Sequence, residues 1–210
     1  GISGLAYVFG GCSGITSVDL SSLTTVTHNG LQNAFFACSG ITSVDLSSLP
    51  SVDAYGLSNA FHNCKGITSL DLSSLQSVGN YGLEEAFYYC TGITSLDLSS
   101  LQTVGSNGLN NAFYGCSGLT SVDLSSLQSV GSYGLHYAFS GCKGITNLLF
   151  PSLTDVQTNS FGSSLTNNAF RNCTALTEIH FRVDMQATIE AMPQYANKWG
   201  ATNATIYFDL

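Results

Sequence analysis

The sequence repeats itself every 26 residues, and that period limits the possible folds more than any other feature. Six cysteines mark the beat, Cys12, Cys38, Cys64, Cys90, Cys116 and Cys142, and Cys173 follows after a longer gap. A period of roughly 20–50 residues gives one supersecondary unit per copy, too small to bury its own apolar face and stable only when stacked on its neighbours. The chain therefore reads as a solenoid or related array rather than as one or two independent globular cores.

Within a copy the apolar letters are ordered. Leu31, Ala34, Phe35 and Cys38 stand at i, i+3, i+4 and i+7, the stripe of a short amphipathic helix, and Leu57/Ala60/Phe61/Cys64 and Leu83/Ala86/Phe87/Cys90 repeat it. Gly40, Gly66, Gly92, Gly118 and Gly144 lie two residues past a cysteine, where glycine permits the left-handed turn that closes a helix. In Ile41-Thr-Ser-Val44-Asp45-Leu46, Val44 and Leu46 alternate with Ser43 and Asp45, the period of a half-buried strand. Leu49 and Val52 add a further inward pair. The expected architecture is an α/β, right-handed solenoid of about seven turns, with a parallel sheet on the concave face and short helices on the convex side.

Only 9% of residues are charged and the formal net charge is −8. Nucleic acid requires lysine and arginine to neutralise phosphates, so that balance argues against it, and equally against anionic membranes. No apolar run approaches the ~20 residues of a membrane span, which excludes membrane insertion by a helix. The cysteines share one repeat position and lack paired C-x₂₋₄-C spacing, so they read as free core thiols and not as zinc ligands. The start, Gly1 to Leu5, has no basic segment or long apolar stretch of a signal peptide.

The string A-F-x-x-C-x-G-[IL]-T-S-[VL]-D-L, carried by residues 5–182, resembles the bacterial leucine-rich repeats of the BspA type, also found in Treponema surface proteins. The Ala-Phe-x-x-Cys piece is its most distinctive part. Where that family often has proline after the strand, this chain has Ser21, Ser47, Ser73, Ser99 and Ser125, and Pro151 alone keeps it. The resemblance implies an extracellular or cell-surface location and an adhesive role.

The repeat loosens towards the end. Asn147-Leu148-Leu149-Phe150-Pro151 replaces S-V-D-L-S, and the connection around residues 158–164 makes the next turn five residues longer. The last repeat strand holds Glu178, His180 and Arg182. Residues 1–182 are expected to form the solenoid. Residues 183–210, with Asp184 placed to cap a helix before Met185, Ile189 and Met192 and with an alternating strand from Ala204 to Leu210, are expected to form its C-terminal cap. The N-terminal turn carries no such cap, which points to further repeats or another domain before Gly1.

The strand letters between the inward ones form columns on the concave face. Asp19, Asp45, Asp71, Asp97 and Asp123 form one, with carboxylates ~5 Å apart that repel and raise one another's pKa values. A hard cation would relieve that repulsion, but calcium needs six to eight converging oxygens and a flat column offers few. Self-solvation by the adjacent Ser-Ser turns is the simpler role. The same spacing suits a glycosidase carboxylate pair, yet that chemistry needs two different environments and a repeat supplies identical ones. His28, His62, His136 and His180 are scattered, are expected at the surface, and form no triad with serine and aspartate. No cofactor motif is present, and no catalytic residue is assigned. Asn172-Cys-Thr and Asn203-Ala-Thr fit the glycosylation triplet. Phe36, His62, Tyr88 and Tyr114 recur at one position and are expected to stack from turn to turn.

The candidate ligand site is where monotony fails: Asn147, Leu149, Glu178, His180 and Arg182, beside the inserted loop. The leading expectation is a non-enzymatic surface binding or adhesion module for a protein or glycan. A passive spacer presenting another domain is the alternative, and a cation-binding acidic surface or a hydrolase is remote.

Overall fold

The computed structural model describes residues 4–164, 166 and 168–210. Residues 1–3, the start of the open N-terminal end expected above, lie outside the described residues. The strands in chain order are β1 (Ser17–Asp19), β2 (Ser43–Asp45), β3 (Ser51–Val52), β4 (Ser69–Asp71), β5 (Ser77–Val78), β6 (Ser95–Asp97) and β7 (Thr103–Val104). They continue as β8 (Ser121–Asp123), β9 (Ser129–Val130), β10 (Asn147–Phe150), β11 (Asp155–Val156), β12 (Glu178–Phe181) and β13 (Thr205–Phe208). Every strand pairing is parallel, and along the regular turns each residue meets its own equivalent one repeat on, as Ser43 with Ser69 and Val44 with Leu70. The result is the expected solenoid of about seven turns.

Two faces of the solenoid are sheets. The short strands that follow four of the Ser-Ser turns and the Pro151-Ser152 turn form one continuous five-stranded sheet, β3-β5-β7-β9-β11 in spatial order. The strands carrying the aspartates form the other face, divided into β1-β2-β4, β6-β8 and β10-β12-β13. Along this face the inward side chains are not equally covered: Val44, Leu96 and Leu148 are buried, whereas Val18, Leu70 and Val122 are partly exposed.

The third face corrects the expectation of short helices. The segment from Tyr55 to Cys64 is a run of tight turns, with left-handed backbone at Tyr55, Asn59 and Asn63 (φ 57°, 56° and 60°). Alternate amides do different jobs. The N–H groups of Ser58, Ala60 and Cys64 close turns on Tyr55, Leu57 and Phe61, while those of Leu57, Asn59, Phe61 and Asn63 donate to Gly82, Glu84, Ala86 and Tyr88 of the next copy at 2.7–2.9 Å. The same inward letters serve both conformations, and Leu57, Ala60, Phe61 and Cys64 are fully buried. Spacing explains the outcome: packed helices sit 8–10 Å apart, strands about 4.8 Å, and a chain of turns matches the sheets on the other faces. The glycines after the cysteines are corrected too, since none of them has a left-handed φ. Gly66 instead lets two turns touch, because a Cβ there would lie 2.6 Å from the Ser39 carbonyl oxygen.

Inside, identical letters stack. Phe35, Phe61, Phe87 and Phe113 form one column, with neighbouring centroids 5.2–5.6 Å apart and rings within 8° of parallel. The cysteines form another. From Cys38 onward each thiol donates to the carbonyl of the phenylalanine in the previous turn, Cys64 to Phe35 at 3.0 Å and Cys90 to Phe61 at 3.2 Å, continuing through Cys173 to Phe139. Cysteine suits the position because it is small, apolar and still a weak donor. All seven cysteines are free, and only Cys12 is exposed. Burial pushes the thiols of Cys64, Cys116 and Cys173 up to about 12, so they stay protonated.

After β12 the chain makes a 3₁₀ turn (Val183–Met185), the short helix α1 (Gln186–Glu190) and a kinked 3₁₀ segment (Tyr195–Gly200), then returns as β13 in register with β12. Met185, Ile189, Met192 and Trp199 are buried over the last turn, and the Trp199 ring sits 4.9 Å from that of Phe161. Asp184 does not cap the helix; its carboxylate is taken by Arg182.

Two outcomes follow from this packing. A thiol reagent added to the native protein should titrate Cys12 quickly and the remaining cysteines only in denaturant; fast reaction of several thiols would contradict the buried ladder. Phe87→Ala should cost about 3–5 kcal/mol in urea unfolding, and a change below about 1 kcal/mol would mean that the aromatic column contributes little.

Candidate functional site

The aspartate column is the most regular candidate, and its chemistry is local. Oδ1 of Asp45, Asp71, Asp97 and Asp123 accepts the backbone N–H of Ser47, Ser73, Ser99 and Ser125 at 2.9 Å, and Asp19 does the same for Ser21 at 3.1 Å. The hydroxyls of Ser21 and Ser73 add bonds of 2.6 Å to the same oxygens. These bonds hold the carboxyls of Asp19, Asp45 and Asp97 below their ordinary value, which corrects the expectation that mutual repulsion raises them. The repulsion exists, as Asp19 acts on Asp45, but it is the weaker effect. Among the described residues no three histidine, cysteine, aspartate or glutamate side chains converge as a metal site.

The break in the pattern gathers a different set. Register places Glu178 between Asn147 and Thr205, and His180 between Leu149 and Tyr207, in two rows across the sheet. Leu149 is 43% exposed and Tyr207 38%. The His180 ring stacks on Tyr207 at 4.7 Å, its Nδ1–H donates to Asp209 Oδ1 at 2.8 Å, and its Nε2 lies 3.6 Å from Glu178 Oε2. Asn147 and Leu149 also border a groove of about 510 Å³, with Asp97, Asp123 and Pro151 among its lining residues. The sequence-derived residues Asn147, Leu149, Glu178 and His180 thus come together on one sheet. Arg182 is committed elsewhere, with Nε and Nη2 on the two carboxylate oxygens of Asp184 at 2.8 and 2.6 Å. Tyr207 and Asp209 complete the cluster and were not anticipated. Their signal was the alternation Thr205, Tyr207, Asp209 in the cap, which continues the outward positions of Glu178 and His180.

The expectation of surface histidines holds less well in the turn ladder. His62 lies between Phe36 and Tyr88, at 4.7 and 4.6 Å, in a stack of near-parallel rings that runs on to Tyr114. Its Nδ1 accepts from Asn63 and its Nε2 faces Glu85 at 3.5 Å, and burial lowers its pKa. His136 Nδ1–H donates to Asn110 Oδ1 at 3.1 Å, and its buried Nε2 has no partner among the described residues. Burial lowers this pKa as well.

The comparisons bear on this architecture. The family described as the BspA type leucine rich repeat region matches residues 5–109 and 57–166, in six copies. The chain belongs to this family. Among solved structures, this BspA-type chain is similar to a leucine rich cell surface protein from Faecalibacterium prausnitzii, at 14% identity and a TM-score of 0.43 over 96% of this chain and 62% of that one. A leucine-rich repeat protein from Bacteroides ovatus is similar at 15% identity and a TM-score of 0.37, over 93% of this chain and 64% of that one. Internalin C2 from Listeria monocytogenes is similar at 14% identity and a TM-score of 0.39, over 94% and 82%. The chain thus spans less than two thirds of the first two structures it matches. No curated protein matches it. No helix among the described residues is long and apolar enough to cross a membrane.

Because its folded-state pKa lies below 6.5, neutral His136 contributes stability that is full above pH 6.5 and is lost as pH falls through the folded value. His136→Asn, which places the Asn110 letter one turn later, should lose less stability between pH 7.5 and 5.5 than the parent, read from urea midpoints. An unchanged pH dependence would remove His136 as its source.

Proposed function

We propose that this BspA-type chain is a non-enzymatic binding module of a bacterial cell surface, and that it engages a protein ligand through the sheet formed by β10, β12 and β13. One observation carries the reading. This is the stretch of the strand face where the Ser and Asp columns give way to exposed Leu149 and Tyr207 around a fixed His180. Such a patch has the composition of an interface centre, with an aliphatic and an aromatic anchor ringed by the polar groups of Asn147, Glu178 and Asp209. His180 is held by stacking and by carboxylates on both sides, so little side-chain freedom is lost on binding. The regular turns before it supply a rigid, acidic approach. An adhesive role fits the family and the cell-surface description of the Faecalibacterium prausnitzii protein.

The test uses the 210-residue chain against a panel of extracellular-matrix and bacterial surface proteins, immobilised for kinetic binding measurements. Leu149→Asp puts a charge at an exposed position of the strand face, where earlier turns have Asp45 and Asp97, and leaves the buried neighbours Leu148 and Phe150 untouched. It should weaken any binding partner by about tenfold or more. Full affinity in that variant would remove this surface as the site, and silence across the panel would remove the protein-binding role.

A further inference from the structure

A second cleft lies on the turn ladder, on a different face from the β10-β12-β13 sheet, and its lining is of another kind. It is about 510 Å³ and runs from Tyr89 past Gly115 and Gly141 to Asn172, with Lys143 at its edge. These four residues occupy one repeat position, the last left-handed residue of the turn run, filled by Ala37 and Asn63 in earlier copies. Three inter-turn steps of about 4.8 Å make the strip roughly 14 Å long.

The local sequence explains why a cleft forms here. Tyr89 follows the column of parallel rings by one residue and stands edge-on to its members Tyr88 and Tyr114, at 84° and 77°. It lies over Gly115, where a Cβ would come within 2.5 Å of its ring carbons, and it stays 40% exposed. Gly141 then adds no side chain to the next turn, so the floor is half-buried backbone between an aromatic wall and the exposed Asn172. Hydroxyls of Thr91, Ser117 and Thr174 line the rim. Asn172 and Thr174 are shared with an adjoining depression of about 330 Å³ that carries Arg171, Asn197 and Asn203. The acidic chain has only five basic residues, yet two of them, Lys143 and Arg171, stand along this path, and neither has an ion pair with a carboxylate among the described residues.

We propose that the cleft from Tyr89 to Asn172 binds a short acidic saccharide. An open trough with a tyrosine wall accepts the apolar C–H face of a pyranose, and the threonine, serine and asparagine side chains meet its hydroxyls. The unpaired Lys143 selects a carboxylate or sulfate on the sugar, and Arg171, whose Nη1 donates to the Thr166 carbonyl, adds positive charge beside the following unit. A neutral glycan satisfies the tyrosine but leaves the cations unanswered. The site does not depend on the protein-binding reading of the opposite sheet.

Calorimetry on the 210-residue chain tests it, with tetrasaccharides that contain glucuronate, galacturonate or sialic acid and a neutral chitin tetrasaccharide as comparison. At least one acidic member should bind saturably, more tightly than the neutral one and less tightly as salt is raised. Tyr89→Ala and Lys143→Ala should each weaken binding about tenfold or more, and Gly141→Asn, which copies Asn172, should block it. Lys143→Ala is a surface change that leaves the core untouched, so loss of binding there is not loss of fold. Leu149→Asp should leave saccharide binding unchanged. Failure of every acidic member, equal binding of the neutral one, or full affinity in both Tyr89→Ala and Lys143→Ala overturns the assignment.

Discussion

Register between adjacent turns is the constraint from which the other features descend. Backbone amides on all three faces bond to the neighbouring copy, the sheets by strand pairing and the third face by alternate amides such as those of Leu57 and Phe61. Once Ser43 is opposite Ser69, each side chain is opposite its own equivalent, and any property of one letter becomes a property of a column. Columns of phenylalanine are favourable because flat rings stack. Columns of cysteine are tolerated because each thiol reaches a carbonyl one turn back. Columns of aspartate would be costly, and each carboxylate is instead turned into its own Ser-Ser corner.

Much of this was legible from the period and the inward letters. The burial of Leu57, Ala60, Phe61 and Cys64, the parallel sheet and the free thiols all follow from which positions repeat as apolar. The conformation of that run was not legible from its stripe, because i, i+3, i+4, i+7 is shared by a helix and by a chain of tight turns. A second signal was present in Asn29/Asn33, Asn59/Asn63 and Asn107/Asn111. Asparagine tolerates left-handed backbone, and its recurrence at intervals of four marks the turn corners. The role of Gly66 was hidden for a different reason: its neighbour in space is a carbonyl one full copy away in sequence.

The candidate site shows the same division. Asn147, Leu149, Glu178 and His180 stood out because they break a column, and a broken column is visible in one dimension. Tyr207 and Asp209 belong to the cap, which repeats nothing, so only the pairing of β12 with β13 reveals that they complete the cluster. The convex cleft lies between these cases. Tyr89, Gly115 and Gly141 occupy one column, but that Tyr89 tips across a glycine while Tyr88 and Tyr114 remain stacked is a packing result.

The orientation of the ladders has a mechanical consequence. The inter-turn hydrogen bonds run along the solenoid axis, so tension applied between the two ends loads the bonds of one turn at a time rather than shearing many together. Under such tension the stack peels from an end. Each released copy of 26 residues lengthens the tether by up to about 90 Å before the next turn is strained. A tether built this way extends in steps at low force and re-forms by stacking a turn onto a template already in place.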